Sequence, residues 1–543
     1  MKLLRVHVIS AKTCGGLLDG LDVWLRSPST EYSTFDPLCL VGPNGSGKSQ
    51  FLQVIAEILQ CLCHVCSNKE ERIEANPELL FELEYLVCPE GKQEPAHIRV
   101  SRQATSRGRP RFLVQQNGEG QWVNCDIASP TTRELLPRKV VGYTSGGNET
   151  LSLPFLISRS GYAEEVGQQA LRPETRGTAI PDTRLMLIDY GTHLEVLVAN
   201  LLLGNDVQRR ALLEDAQLKD LRSYRCTVQL AHSAAPKAPK VAISARKGIQ
   251  LTDELEQHID NLRRCATCYD YDPNTETYTF DYWMNGETRL AFGSFWGSAL
   301  ELYTSLHKLA MLNDLAIPKK TRDRFRKDTE AQRFASRLPE PQDEDKVFRF
   351  ERVQFVPSRG GEVVDYVSLS DGEHQLSQLL GTFSMLSFRN VVFLLDEPES
   401  HFNPEWRVRC ISRILDLPTK DGLRRTGSSS SKAAEQECLL TTHSPFVPSD
   451  MAREKVFIFS KDGRKVTVRH PDIETYGTTF DTILDECFGV RPPISNVPLD
   501  EIKALMNSDN PEEIKAGMDR LGHSVEKVYL ADHLRQLTNK GEA

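Results

Sequence analysis

The segment Gly42-Pro43-Asn44-Gly45-Ser46-Gly47-Lys48-Ser49 holds the residue types that grip a polyphosphate. Its glycines let successive backbone N–H groups curl around phosphate oxygens. Lys48 reaches the β- and γ-phosphates as a point charge, and the Ser49 hydroxyl is a ligand for Mg²⁺. An apolar stretch at 38–41 runs straight into this loop, and Phe51, Leu52, Ile55, Ile58, Leu59 and Leu62 follow it at helical spacing. A strand before and a helix after are the context such a loop needs, and the helix adds its positive N-terminal dipole.

Three further segments could complete a site. Val391-Val-Phe-Leu-Leu-Asp396-Glu397 reads as a strand buried on both faces, ending in two carboxylates. Asp396 then holds Mg²⁺ through water, and Glu397 orients or deprotonates an attacking water. Taken alone, the same residues would be a buried strand with a surface acidic pair. Ser370-Asp371-Gly372-Glu373-His374-Gln375 opens a helix with the apolar face Leu376, Leu379, Leu380, Phe383 and Leu386. Ser370 and Glu373 have capping-box spacing, and a capped helix N-terminus is also an anion site. Leu439-Leu-Thr-Thr-His443-Ser444 delivers His443 to the same sheet edge, where it can contact a γ-phosphate.

In that chain order the four segments resemble the ATP-binding cassette ATPases: phosphate loop, signature, acidic strand, switch histidine. The resemblance implies ATP and Mg²⁺, with Glu397 and His443 catalytic. It also implies a head-to-tail homodimer or higher homo-oligomer, in which Ser370, Asp371, Gly372 and Glu373 of one copy act on ATP held by another. Asn403 stands where that class has a dimer-contact aspartate. Val140–Gly147 stands where it has a strand-to-glutamine loop, but no glutamine is present, leaving Asn148 and Glu149 as candidates. Asp371 replaces a glycine and should pair with a base.

The branch of the class follows from what lies between these segments. A transporter cassette would be about half this long. Residues 150–345 lack the sustained heptads of the DNA-repair members, and the chain after His443 shows no carboxylate constellation of the kind the OLD-family nucleases append. Val140–Ser152, Ser370–Gln375 and Asp396–Arg407 are most similar to the PtuA ATPases of Septu-type bacterial antiphage defence. That family implies a partner HNH nuclease, PtuB. In retron loci it also implies a reverse transcriptase with its RNA-linked DNA. The alternative is a nucleic-acid-binding scaffold, or a repair-type ATPase of the SMC kind, whose ATP is structural or slowly hydrolysed.

The expected fold is α/β: a split ATPase head from residues 1–150 and 346–475, a mainly helical insertion at 151–345, and a helical tail at 476–543. Short strands are expected at 81–87, 98–101, 112–114, 184–189, 347–356 and 363–367, and Thr419–Glu437, with four consecutive serines, reads as a mobile insertion. The run Lys319, Lys320, Arg322, Arg324, Arg326, Lys327 is either a solvated helix or a nucleic-acid contact. Arg102, Arg107, Arg109 and Arg111 form a second basic loop. Cys265 and Cys268 could be half of a zinc site, with Cys61, Cys63, His64 and Cys66 as the other half. The latter cluster, however, ends an apolar helix, where cysteine serves as a small hydrophobe.

Composition bounds these readings. The chain has 543 residues, 39% hydrophobic and 26% charged, enough for a sizeable core. A net charge of −9 excludes a surface basic from end to end. Thirteen cysteines, an odd number without a regular framework, point to reduced thiols. No signal peptide or membrane span of ~18 apolar residues is read, so a cytoplasmic protein with no membrane partner is expected.

Overall fold

A seven-stranded sheet gathers the four segments. From edge to edge it runs Lys465–Arg469, Val456–Asp462, Leu38–Val41, Glu437–Thr441, Val391–Asp396, Lys139–Thr144 and Leu185–Ile188. Neighbours are parallel except for the Val456–Asp462/Lys465–Arg469 hairpin. Parallel neighbours require crossovers, which is why strands adjacent in space lie far apart in the chain. Leu38–Val41, Val391–Asp396 and Glu437–Thr441 are buried at every position, as strands covered on both faces are. The computed structural model describes all residues except 107, 109, 146–148, 172–176, 178, 189–191, 232–248, 331–340, 420–421, 425–431, 464 and 542–543.

Helix Lys48–Cys66 packs into one core with two sheets. Phe51, Leu52, Ile55, Ile58, Leu59 and Leu62 meet Val140, Val392, Leu394 and Leu439 of the parallel sheet. The same core takes in Leu3, Val6, Phe81, Leu83 and Val100 of a six-stranded antiparallel sheet, ordered Leu21–Trp24, Lys2–Ser10, Leu80–Val87, Ala96–Gln103, Arg111–Gly118, Gln121–Asn124. Covered on most sides, the helix also buries Gln53, Glu57 and Gln60, and Glu57 accepts from Gln53 at 2.8 Å and from Asn76 at 2.7 Å. Among the described residues it is the one helix long and apolar enough to cross a membrane by length and composition, and 78% of its apolar window is buried inside the fold.

The 151–345 segment is less helical than its sequence suggests. Helix Glu149–Ala170 is followed by Leu185–Ile188, the strand expected at 184–189, which pairs with Lys139–Thr144 as an edge of the parallel sheet. Leu218–Gln229, Thr277–Trp283 and Cys268–Asp272 then join Phe348–Pro357 and Val364–Asp365 in a five-stranded antiparallel sheet. The long strand Leu218–Gln229 pairs with Thr277–Trp283 on one side and Phe348–Pro357 on the other, so the segment is stitched to the chain that follows it. Thr419–Glu437 is likewise no loose tether at its ends. Arg424 is fully buried and donates to the carbonyl of Phe383 at 2.7 Å, and Ala433, Ala434 and Gln436 are buried; the tract 425–431 lies outside the described residues.

Met1–Tyr476 forms one compact unit and Gly477–Ala543 a second. Within the second, helices Asn496–Met506, Pro511–Arg520 and Val525–Gly541 close around Ile502, Leu505, Ile514 and Leu530.

The two larger sheets are tied by a buried ion pair. Arg26, two residues past strand Leu21–Trp24, meets Glu437 at 2.8 Å, and Glu437 also accepts the Leu3 N–H at 2.8 Å. Both charged side chains are at most 1% exposed. Removing one partner strands the other charge, so Arg26→Met should cost about 3–5 kcal/mol in urea unfolding; a loss below ~1 kcal/mol would show the pair to be dispensable.

Candidate active site

The loop after Leu38–Val41 needs its glycines. Gly42, Gly45 and Gly47 have φ of 131°, 75° and 98°, and a Cβ on Gly42 would lie 2.2 Å from the carbonyl oxygen of Phe459. Pro43, Asn44 and Gly45 are exposed at the crest. Lys48 Nζ donates to the carbonyls of Gly42 at 2.8 Å and Pro43 at 3.1 Å. Burial lowers its pKa, and the charges of Glu397 and Asp396 oppose that shift. Ser46 Oγ is buried with no hydrogen-bond partner among the described residues.

Asp396 ends its strand against this loop. Its Oδ1 accepts from Ser49 Oγ at 2.8 Å and from Thr441 Oγ1 at 2.6 Å. Burial raises its pKa, and these two hydrogen bonds hold it back. A hydroxyl and a carboxylate side by side are the hard oxygen donors that Mg²⁺ prefers, so the residues fit the ion. Glu397 follows with φ of 49°, the left-handed region, and its N–H is held by Thr441 Oγ1 at 3.1 Å. Such a backbone costs on the order of 1–3 kcal/mol and clusters at functional sites. Glu397 Oε1 lies 3.4 Å from His443 Nε2, with both side chains partly open to solvent. Burial, then the charge of Lys48, lowers the His443 pKa, so the imidazole is neutral at pH 7.

The signature segment is built as a cap. Ser370 accepts from the Glu373 N–H at 3.4 Å, and Glu373 returns a carboxylate to the Ser370 N–H at 2.7 Å. Ser370 and Asp371 are exposed, and among the described residues no hydrogen bond joins residues 370–373 to the phosphate loop of the same chain. Gly372 is buried, its missing Cβ 2.9 Å from the His401 carbonyl. Asp371 has no ion pair among the described residues, contrary to the expected base. Asn403 caps helix Pro404–Leu415 through Trp406 N at 2.9 Å. Asn148 and the Glu149 side chain lie outside the described residues.

Three site residues escaped the sequence reading. Thr441 joins Asp396 to Glu397, as above. Thr442 donates to Glu399, which is 3% exposed and whose pKa burial pushes up to about 7. The Thr-Thr-His phrase was the available signal, but only strand register shows which hydroxyl faces which carboxylate. Other expectations are corrected. Arg102 is buried and ion-paired with Glu74, and Arg107 and Arg109 lie outside the described residues. Cys61, Cys63, Cys66 and Cys265 are buried while Cys268 is exposed. Among the described residues no three His, Cys, Asp or Glu side chains assemble as a metal site, so the zinc arrangement is not formed.

Fold and site together place a glycine-rich phosphate-type loop, an acidic strand and a histidine at one edge of a mainly parallel α/β sheet. Residues 286–450 match the family described as "AAA domain, putative AbiEii toxin, Type IV TA system". That stretch includes the signature, the acidic strand and His443, and leaves the phosphate loop outside it. No curated protein matches the chain. Two solved structures are similar at a TM-score of 0.32. One is the Smc head domain of Pyrococcus furiosus with an extended coiled coil, bound to the C-terminal domain of ScpA; it is 13% identical, covering 86% of this chain and 96% of that chain. The other is the SMC head domain of Thermotoga maritima, 11% identical, covering 87% and 100%.

The buried Glu399 has a pH consequence. Its pKa is raised from 4.5 to about 7, so the folded state binds the proton more tightly than the unfolded state. Stability attributable to the neutral acid is present below pH ~4.5 and is lost as pH rises through 7. Glu399→Gln should remove this loss, stabilising the protein above pH 7 by up to about 3 kcal/mol. Thermal melts of both proteins from pH 5 to 8 check it: parallel curves would show that Glu399 does not titrate in this range.

Proposed function

We propose that this chain is a P-loop ATPase that hydrolyses ATP with Mg²⁺ and works with a second copy of itself to gate a nuclease. The observation that carries the ATPase reading is the Ser49–Asp396 hydrogen bond at 2.8 Å between residues 347 positions apart. Lys48 leaves the carbonyls of Gly42 and Pro43 for the β- and γ-phosphate oxygens. Ser49 and, through water, Asp396 would hold Mg²⁺, which would supply positive charge to offset that of the phosphates. Glu397 takes the proton of the attacking water at its carboxylate, and neutral His443 donates to a γ-phosphate oxygen. Ser370, Asp371, Gly372 and Glu373 serve ATP on the other copy. Their exposure, their capped helix N-terminus and the lack of a bond to their own loop support that assignment.

The setting in antiphage defence, in the cytoplasm, rests on the likeness to PtuA. The toxin named in the matched family's description is compatible with it. An HNH nuclease of the PtuB kind, and in a retron the reverse transcriptase with its RNA-linked DNA, would be the partners. Helix Lys319–Glu330 is the proposed nucleic-acid contact. Lys319, Lys320, Arg324 and Lys327 are exposed on it, whereas half-buried Arg322 donates to the Ile317 carbonyl at 3.1 Å. The Arg326 side chain lies outside the described residues.

Two outcomes test this. Glu397→Gln should lower ATP turnover by ~10²–10⁴-fold while leaving ATP affinity intact and accumulating an ATP-bound dimer in sedimentation; unchanged turnover would assign water activation elsewhere. Changing Lys319, Lys320, Arg324 and Lys327 to Gln should weaken nucleic-acid binding and flatten its log–log salt dependence by roughly 0.7–0.9 for each phosphate no longer neutralised. Equal binding by the variant would return that helix to a solvated surface.

A further inference from the structure

Helix His193–Leu203 lies along the signature helix Asp371–Met385 and bonds to its backbone twice. His193 Nε2 is 2.5 Å from the His374 carbonyl oxygen, and Asn200 Nδ2 is 3.0 Å from that of Gly381. Each donor precedes its acceptor by the same 181 residues, so the two helices run parallel and in register. Gly381 permits the approach: a Cβ there would sit 3.1 Å from Val196 Cγ1. His193 and Asn200 are each 2% exposed.

The histidine also reaches the other side of the signature. A carbonyl can only accept, so Nε2 of His193 carries the proton and Nδ1 is the acceptor. The Tyr366 hydroxyl donates to that Nδ1. Burial, then the charge of His374, holds the His193 pKa down at about 3, so the ring keeps a single N–H. Tyr366 begins the turn Tyr366–Ser368 that leads into Ser370, and its ring packs on that of His374 with centroids 4.3 Å apart. The residues flanking Ser370–Glu373 are therefore both hydrogen-bonded to one buried imidazole. Nothing in the ATP chemistry above uses this ring.

We propose that His193 is a positioning residue for the signature, clamping Tyr366 and His374 so that the Ser370–Glu373 cap meets ATP of a second copy already formed. The inference rests on the composite-site reading. Helix His193–Leu203 then acts as a splint that couples the inserted segment to the signature. Preorganisation of this kind is felt in turnover more than in the binding of nucleotide to its own loop.

The test uses the full-length chain with His193→Leu, which removes both bonds, and His193→Gln, whose amide can donate to His374 and accept from Tyr366. Hydrogen–deuterium exchange at amides 370–376 should quicken by about tenfold in His193→Leu and remain unchanged at 42–49. ATP affinity should hold while kcat falls, by as much as ~10²-fold. His193→Gln should restore both exchange and kcat. Unchanged exchange at 370–376 in a folded His193→Leu protein would overturn the clamp, with or without ATP turnover. So would faster exchange with normal kcat, or quickening spread equally over 42–49. If the wild-type chain turned over no ATP at all, the proposed ATPase function would fall, and the positioning role with it.

Discussion

Asp396 sits in a row of the central sheet with Thr441 on one side and Thr144 on the other, and Leu40 lies beyond Thr441. The site depends on this parallel register. It stops the phosphate-loop strand, the acidic strand and the histidine strand at one edge, so that Ser49, Asp396, Thr441, Glu397 and His443 face one another. A slip of one residue would turn Asp396 to the opposite face and bury it against apolar packing. The register is enforced by the continuous burial of Val391–Asp396 and Glu437–Thr441 and by the core they share with helix Lys48–Cys66. Stability and chemistry are thus set by the same contacts.

Electrostatics follow from that placement. Lys48 is stripped of much of its water at the base of the loop and is kept charged by the carboxylates beyond it. Asp396 is buried yet carries two hydroxyl donors. Glu397 is held in a left-handed backbone by the hydroxyl that also serves Asp396. Thr441 is accordingly the hinge pin of the arrangement: one hydroxyl fixes the direction of the metal-ligand candidate and the backbone of the general-base candidate. The preorganised polar groups are those expected where phosphate charge develops.

Much of this was legible in the sequence. The phosphate loop, the apolar strand ending in Asp396-Glu397 and the capping box at Ser370 are local signals, since spacing alone sets their geometry. The five-stranded antiparallel sheet was legible only in part: 347–356 and 363–367 read as strands, but their partners did not. Leu218–Gln229 mixes charged and apolar residues, and its partner Phe348–Pro357 lies beyond an intervening stretch of helices and hairpin strands, so neither announces a pairing. Thr441, Thr442 and Glu399 were missed for a different reason. Their roles come from which residue stands opposite which across parallel strands, information no single segment contains. The basic run 319–327 shows the same limit: composition marks six cations, but local folding turns Arg322 onto the Ile317 carbonyl.

The central claim is that Gly42–Ser49, completed by Asp396, binds the phosphates of ATP. Calorimetric titration of Mg·ATP into the wild-type and Lys48→Ala proteins tests it most directly. The account predicts saturable binding by the wild type and a loss on the order of 10²-fold in the variant, since a charge-assisted contact to phosphate is removed. Equal affinity in a Lys48→Ala protein that melts like the wild type would contradict it.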